Sequence, residues 1–329
     1  NKTFSPNGST TENQAKNDWR LKFANVPFED KSGSWQLRYY QEIAVNNTLE
    51  AIAHGKNRIL LTLATGTGKT SIAFQISWKL FQTKWNLKGD GVRRPNILFL
   101  ADRNALVRQA KNNFSEYLPD LSSIDLTEEK ENDTTRLVFS TYPSMMNKID
   151  NIRNADERFY GVGHFDLIIV DEAHRSIYNR YKAIFDYFDA SIVGLTATPK
   201  DGIDHNTFEL FGCSNEDPTF LYELHQAVPQ YLNPYKNIGI TTNFLRDGIK
   251  YKDLTDKERE KYEETFEDKT TGLFTEEIRA NAMNKWLFNK DTVNKVLDAL
   301  MQNGLKIEGG DKLGRTIIFA VNQDHAKFI

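Results

Sequence analysis

The sequence predicts an α/β fold built on a parallel sheet that carries a phosphate-binding loop. Two observations predict the sheet. Short apolar runs (Ile59 to Leu63, Ile97 to Ala101, Leu137 to Ser140, Leu167 to Val170 and Ser191 to Leu195) alternate with stretches of helical periodicity. Each run is too short and too uniformly apolar for a surface strand, the pattern of strands buried on both faces of a parallel sheet. A third observation predicts the loop: the first run passes into LTLATGTGKTS, an apolar strand breaking into glycines that end in a lysine and two hydroxyls.

Taken in order, residues 1 to 35 are polar, with isolated Trp19, Phe23, Phe28 and Trp35, and read as a linker whose aromatics dock on something else. From Gln36 to Ala53 the apolar residues Leu37, Tyr40, Ile43, Ala44, Leu49 and Ile52 have helical spacing, and Gly55 is a helix stop. The strand and helix alternation then runs to about residue 225. Beyond it Tyr231 to Thr242 supplies an extended segment, and Thr255 with Glu258 forms a capping box opening a helix over Asp256 to Phe266. Asp291 caps a further helix whose Val293, Val296, Leu297, Leu300 and Met301 share one face, closed by Gly304. Gly314 to Ala320 reads as a new buried strand. The expected organisation is a linker over 1–35, an α/β domain over 36–225, and over 226–329 a charged helical insertion with the start of a second α/β domain, cut short.

Composition narrows the class. With 39% hydrophobic residues the chain can bury two modest cores. No stretch approaches the roughly 18 apolar residues of a membrane span, and no apolar signal core opens the sequence, so a soluble cytoplasmic protein without membrane contact is expected. Cys213 is the only cysteine, which excludes an internal disulfide and a cysteine-rich zinc site. The net charge of −3 decides nothing about nucleic acid. Between 79 and 111, however, eight basic residues (Lys79, Lys84, Lys88, Arg93, Arg94, Arg103, Arg108 and Lys111) meet two acidic ones. That run is either a track for a phosphate backbone or a solvated face.

The loop has the strand before it and the helix after it that an anion site at a helix N-terminus needs. Thr65, Gly66, Thr67 and Gly68 would wrap the phosphates, Lys69 would reach the β- and γ-phosphates of a nucleotide, and the Thr70 hydroxyl would coordinate Mg2+. The strict pattern has glycine where Leu63 stands, so the match is Gly-x-Gly-Lys-Thr. A carboxylate must hold the metal from the protein side. Asp171, at the end of the run Leu167 to Val170, supplies it, and Glu172 can orient or deprotonate the attacking water.

Asp171-Glu-Ala-His174 and Leu195-Thr-Ala-Thr-Pro199 together resemble the DEAH signature and third motif of superfamily 2 helicases and translocases. The resemblance implies RecA-like motor domains, the first complete and the second begun at Arg315 to Asn322. It makes Leu37-Arg-Tyr-Tyr-Gln41 the adenine-reading element, with Arg38 and Gln41 at the base and Gln41 favouring ATP through two hydrogen bonds. His174 joins Lys69, Asp171 and Glu172 in the catalytic set, and Thr196 and Thr198 bond to the His174 region and couple hydrolysis to domain motion. Arg103, Asn104, Thr141 and Tyr142 fall where such motors touch the backbone of the strand they track, although Tyr142 could equally be packing.

The wider set LRYYQEIAV, NILFLADRNALVRQA, IIVDEAHRS, GLTATPKDGIDHNTFELFG and GRTIIFAVNQDHAKFI is similar to the motor (R) subunit of type I restriction enzymes. That family implies translocation of double-stranded DNA driven by ATP, modification and specificity subunits as partners, and a separate nuclease domain. The resemblance also implies an arginine finger from the second motor domain, its motif expected beyond Ile329, so this chain alone is expected to bind ATP and hydrolyse it poorly. Pro119-Asp120 with Glu128-Glu-Lys130 imitates a restriction-nuclease motif, but the polar run EEKEND reads as a surface loop, and no nuclease residue is assigned there.

Overall fold

The computed structural model describes residues 19–30, 33–117, 122–128, 135–150, 152–154, 157–158, 160–175, 179–199, 201–202, 205–213, 217–239, 249–253, 256, 259–260, 263, 277–278, 290–320 and 322–329. The chain divides into two units between Pro234 and Tyr235.

The first unit is built on seven strands: β1 (Arg58–Leu63), β2 (Ile97–Ala101), β3 (Ser123–Asp125), β4 (Leu137–Thr141), β5 (Leu167–Asp171), β6 (Ser191–Thr196) and β7 (Phe220–Tyr222). They form one sheet in the order β7-β1-β6-β5-β2-β4-β3, and every neighbouring pair is parallel. The five apolar runs are its central strands. The period of two along each explains why they are apolar throughout. Ile59, Leu61 and Leu63 join Ile97, Phe99, Leu137, Phe139, Leu167, Ile169 and Val193 in one core, while Leu60, Leu98, Leu100, Val138, Ile168, Val170 and Ile192 join a second. Helices α1 (Tyr39–Ala53), α2 (Lys69–Thr83) and α3 (Asn104–Tyr117) cover the first core with residues such as Val45, Ile76 and Phe114. Helices α4 (Tyr142–Asp150) and α5 (Asn179–Tyr187) cover the second through Met145, Ile149, Ile184 and Phe185. Each such side chain contributes about 1.5–3 kcal/mol on full burial, and this places the sheet's C-terminal edge on a rigid base.

The edge strands β3 and β7 escape sequence reading. They are three residues each and lie at the two ends of the sheet, where a strand has one neighbour and needs no continuous apolar run. Leu221 in β7 is accordingly 47% exposed.

The aromatics ahead of α1 dock on α2. Gln75 pairs with the Glu29 backbone, accepting from its N–H at 3.0 Å and donating to its carbonyl at 2.8 Å. Trp78 Nε1 donates to the Pro27 carbonyl, and Lys79 Nζ to the carbonyls of Phe23 and Val26 while lying 4.1 Å over the Phe28 ring. Trp19 and Phe28 pack on the first core.

Several charges of the 79–111 run are thereby used inside the molecule. Lys79 is 3% exposed. Arg93 makes a forked pair with the buried Asp166, which also accepts from the N–H groups of Leu87 and Asn96, and Arg108 pairs with Glu128. The run is therefore not one continuous basic stripe.

In the second unit, Lys290–Asn303 is a helix, ended at Gly304, whose N–H bonds to the Leu300 carbonyl at 2.7 Å. Much of the helix expected over Asp256 to Phe266 lies outside the described residues. Gly314 to Ala320, expected to be a buried strand, pairs with no strand among the described residues, and Ile317 and Phe319 are 80% and 90% exposed. A strand of a parallel sheet exists only beside neighbours, and none flanks this run among the described residues. No helix among them is long and apolar enough to cross a membrane.

One glycine of the sheet is set by contact. A Cβ on Gly194 of β6 would stand 2.4–2.9 Å from the Phe211 ring, itself 2% exposed. Gly194→Ala is expected to destabilise the first unit by about 1–3 kcal/mol through overpacking. A thermal melt checks this; an unchanged melting temperature would contradict the packing described.

Candidate functional site

Where β1 ends, the chain turns through Ala64 to Gly68. Gly66 and Gly68 stand at φ +85° and +86°, the left-handed region that costs other L-residues about 1–2 kcal/mol. Gly68 is fixed a second way, because a Cβ there would lie 2.4 Å from Gln41 Nε2. Helix α2 begins at Lys69, and no side chain caps it, so its first turn has the unsatisfied N–H groups and positive dipole end that hold an anion. The Thr67 hydroxyl donates inward to the Ala64 carbonyl at 2.6 Å, and the Thr67 N–H bonds to the same carbonyl at 3.4 Å. Thr65 is exposed at its mouth.

The parallel register brings three strand ends together. Thr62 of β1 pairs with Thr196 of β6, and Leu195 of β6 with Asp171 of β5. Glu172 follows Asp171 at φ +52°, a conformation of the kind stored at functional sites. Its N–H donates to Asp171 Oδ1 at 3.0 Å. Its carboxylate lies 4.0 Å from Lys69 Nζ and 3.3 Å from His174 Nδ1. His174 Nδ1 is also 3.0 Å from Thr196 Oγ1, which accepts from the Thr198 N–H at 3.2 Å. Lys69, Glu172, His174, Thr196 and Thr198, read from three separate stretches of sequence, form one connected set.

Burial first, and then the Glu172 charge, push the Asp171 carboxyl up to about 6, with Lys69 opposing. A cation beside it would reverse that balance. Among the described residues no group of three or more His, Cys, Asp or Glu could hold a metal. The donor set fits magnesium, which binds few protein oxygens and completes its shell with phosphate and water. Thr70 and Asp171 are the residues that would hold it.

The expected base-reading element contacts the phosphate loop. Gln41 is 5% exposed, with Nε2 donating to the Thr67 carbonyl at 2.8 Å and Oε1 accepting from the Arg38 N–H at 2.9 Å. Each end of the amide thus makes one bond within the protein and keeps one further hydrogen-bonding position. Arg38 lies with its guanidinium 5.0 Å from the Tyr231 ring centroid. Sequence reading missed Tyr40, Tyr222, Tyr231 and Leu232. Tyr40 bonds to the phosphate loop, and Leu232 Cδ2 lies 3.1 Å from where a Gly66 Cβ would stand. A separation of more than 150 residues left no local signal for the last three.

The four residues expected against a nucleic-acid backbone split in two. Arg103 and Asn104 are exposed just past the end of β2. Thr141 and Tyr142 are 5% and 2% exposed: Thr141 Oγ1 donates to Ser144 Oγ at 3.0 Å, while Tyr142 stacks on Tyr181 and donates to the Asp171 carbonyl at 3.3 Å. Packing is the role the structure shows for Tyr142, and Thr141 lies at the start of α4, because Tyr181 of α5 and Ser144 of α4 engage the two side chains. Of the nuclease-like pattern, Glu128 is a surface partner of Arg108, and its remainder lies largely outside the described residues.

With a folded carboxyl near 6 against the ordinary 3.8, the cost of the buried Asp171 charge grows as pH rises from about 4 to 6 and is full above 6. Asp171→Asn is therefore expected to raise the melting temperature of the nucleotide-free protein at pH 7–8, the gain shrinking towards pH 4. No gain, or one independent of pH, would contradict this electrostatic description.

Residues 34–201 match the family model described as "Type III restriction enzyme, res subunit". Among curated proteins, the chain is 37% identical over 220 residues to the type I restriction enzyme EcoAI endonuclease subunit of Escherichia coli, covering 65% of this chain and 25% of that protein. It is 28% identical over 356 residues to the EcoKI endonuclease subunit of Escherichia coli strain K12, covering 97% of this chain and 27% of that protein. The chain thus spans about a quarter of the length of these relatives. A solved fragment described as an HsdR subunit of a type I restriction enzyme from Vibrio vulnificus YJ016 aligns at 33% identity and a TM-score of 0.49, over 64% of this chain and 34% of that one. Since the family model spans 168 of the 329 residues, from the approach to α1 to just past β6, the chain belongs to the family described as type III restriction enzyme, res subunit.

Proposed function

We propose that the chain is the ATP-driven motor part of a type I restriction enzyme R subunit, moving double-stranded DNA past the complex. The observation that carries the reading is the convergence of Lys69, Asp171, Glu172, His174 and Thr196 at the ends of three adjacent strands. The names of the two curated relatives, both endonuclease subunits of type I enzymes, support the choice of complex.

In this reading the glycine cradle and the N-terminus of α2 bind the triphosphate of ATP, and Lys69 neutralises its β- and γ-oxygens. A bound Mg2+, held through Thr70 and Asp171, would supply further neutralisation of phosphate charge. Glu172 orients the attacking water and accepts its proton. His174 and Thr196 link that carboxylate to the end of β6, so a change at the phosphate end can reach Thr198 through hydrogen-bonded neighbours. Arg103 and Asn104 contact phosphates of the DNA, which carry no sequence information and suit a motor that passes over any sequence. Modification and specificity subunits are the partners this assignment requires, and the second RecA-like domain would supply the arginine that completes the site.

The test is ATP hydrolysis by the whole protein with its partner subunits, on long duplex DNA, single-stranded DNA and RNA. Stimulation by long duplex alone is expected, and Lys69→Ala should abolish it. Stimulation by single strands or RNA instead would overturn the restriction-motor reading and leave the ATP site standing. Glu172→Gln should still bind ATP while turnover falls by about 10²–10⁴; turnover near the wild-type rate would remove Glu172 from its role.

A further inference from the structure

We propose that Tyr40 is a positioning residue for the phosphate loop, and that Arg38, Tyr40 and the Thr67 carbonyl form a relay from the mouth of the site to the polyphosphate cradle. The proposal rests on the reading of that cradle as a nucleotide site.

Tyr40 is fully buried, and its ring cannot turn aside. It stacks on Tyr222 at 4.0 Å and 12°, and meets Tyr231 edge-on at 5.2 Å and 70°. A buried phenol needs partners for its hydroxyl. Here the hydroxyl accepts from Arg38 Nη1 at 3.0 Å and donates to the Thr67 carbonyl at 2.9 Å. Gln41 Nε2 donates to the same carbonyl at 2.8 Å, so the two lone pairs of that oxygen are both engaged.

The consequence follows from peptide geometry. In a planar trans peptide the carbonyl of one residue and the N–H of the next point in opposite directions. Holding the Thr67 carbonyl towards Tyr40 and Gln41 therefore holds the Gly68 N–H away from them. Gly68 itself offers little resistance to a peptide flip, since glycine populates both signs of φ. A flipped peptide would present a carbonyl oxygen where an N–H is wanted. The two donors suppress that flip. Arg38 contributes through Tyr40: a phenol has one proton, and an arginine donating to its oxygen leaves that proton for Thr67. Donors in series of this kind strengthen one another. The guanidinium is itself placed by the Tyr231 ring, so a residue from the segment that follows β7 also acts on the loop.

The experiment measures binding of ATP and of inorganic tripolyphosphate by calorimetry to the whole protein, as wild type, Tyr40→Phe, Arg38→Ala and the double variant. Tyr40→Phe keeps the ring and removes only the hydroxyl. It should weaken both ligands by the same factor, about 2- to 13-fold, as expected for one buried hydrogen bond. Arg38→Ala should weaken tripolyphosphate, which has no base, and should have no further effect on it once Tyr40 is Phe. Loss of ATP affinity with tripolyphosphate unchanged in Tyr40→Phe would overturn the proposal by placing Tyr40 at the base. Independent, multiplying effects of the two substitutions would overturn it as well, since direct attraction of Arg38 for the anion would survive in the Tyr40→Phe background. Should Tyr40→Phe fail to fold, Arg38→Ala alone decides: unchanged tripolyphosphate binding overturns the relay. If the wild type binds neither ligand, the nucleotide reading falls and the relay with it.

Discussion

The parallel register of β1, β6 and β5 is the constraint on which the rest depends. Parallel strands deliver all their C-terminal ends to one edge, and pairing Thr62 with Thr196 and Asp171 with Leu195 sets those ends level. A shift of a single residue would turn each strand's side chains to the other face and exchange the contents of the two cores. The buried apolar groups on both faces make that shift prohibitive. They therefore hold Lys69, Glu172, His174 and Thr196 within contact, although none of those four belongs to either core.

On that rigid edge the site carries the less favourable features. Gly66 and Gly68 hold left-handed backbone, Glu172 holds it without being glycine, and Asp171 buries a carboxyl whose charge is only partly balanced by Lys69. The glycines adopt that backbone at no steric cost, whereas Glu172 and Asp171 each cost stability, and all four prepare the edge for polyphosphate and a cation. The arrangement is tolerable because the cost is confined to loops just past strand ends, where the packing beneath does not have to adjust.

Charge and aromaticity show how context redirects a side chain. Lys79 lies within a basic run, yet it serves three groups of the segment ahead of α1: the carbonyls of Phe23 and Val26 and the ring of Phe28. Its amine is lowered by burial, consistent with a cation drawn out of water by packing. Gln41 has the residue type and position of a base reader, and its amide also braces the loop that follows β1. Residue type limits what a group can do; its neighbours select among those possibilities.

The central strands, the loop after β1 and the Asp171-Glu172 pair were legible because each is a local pattern: a continuous apolar run, glycines before Lys69, a carboxylate closing a strand. The edge strands were not, since Ser123–Asp125 and Phe220–Tyr222 are defined by pairing on one side and leave no run to read. Thr141 and Tyr142 could be placed after a strand from sequence, but whether they faced outward depended on Ser144 of α4 bonding to Thr141 and Tyr181 of α5 stacking on Tyr142. The sequence by itself determined the fold class and the chemical groups of the site, because periodicity and motif spacing are properties of neighbouring residues. Only the tertiary structure decided that Tyr40, Tyr222, Tyr231 and Leu232 gather about the phosphate loop, because contacts between distant segments are set by the packing of whole elements.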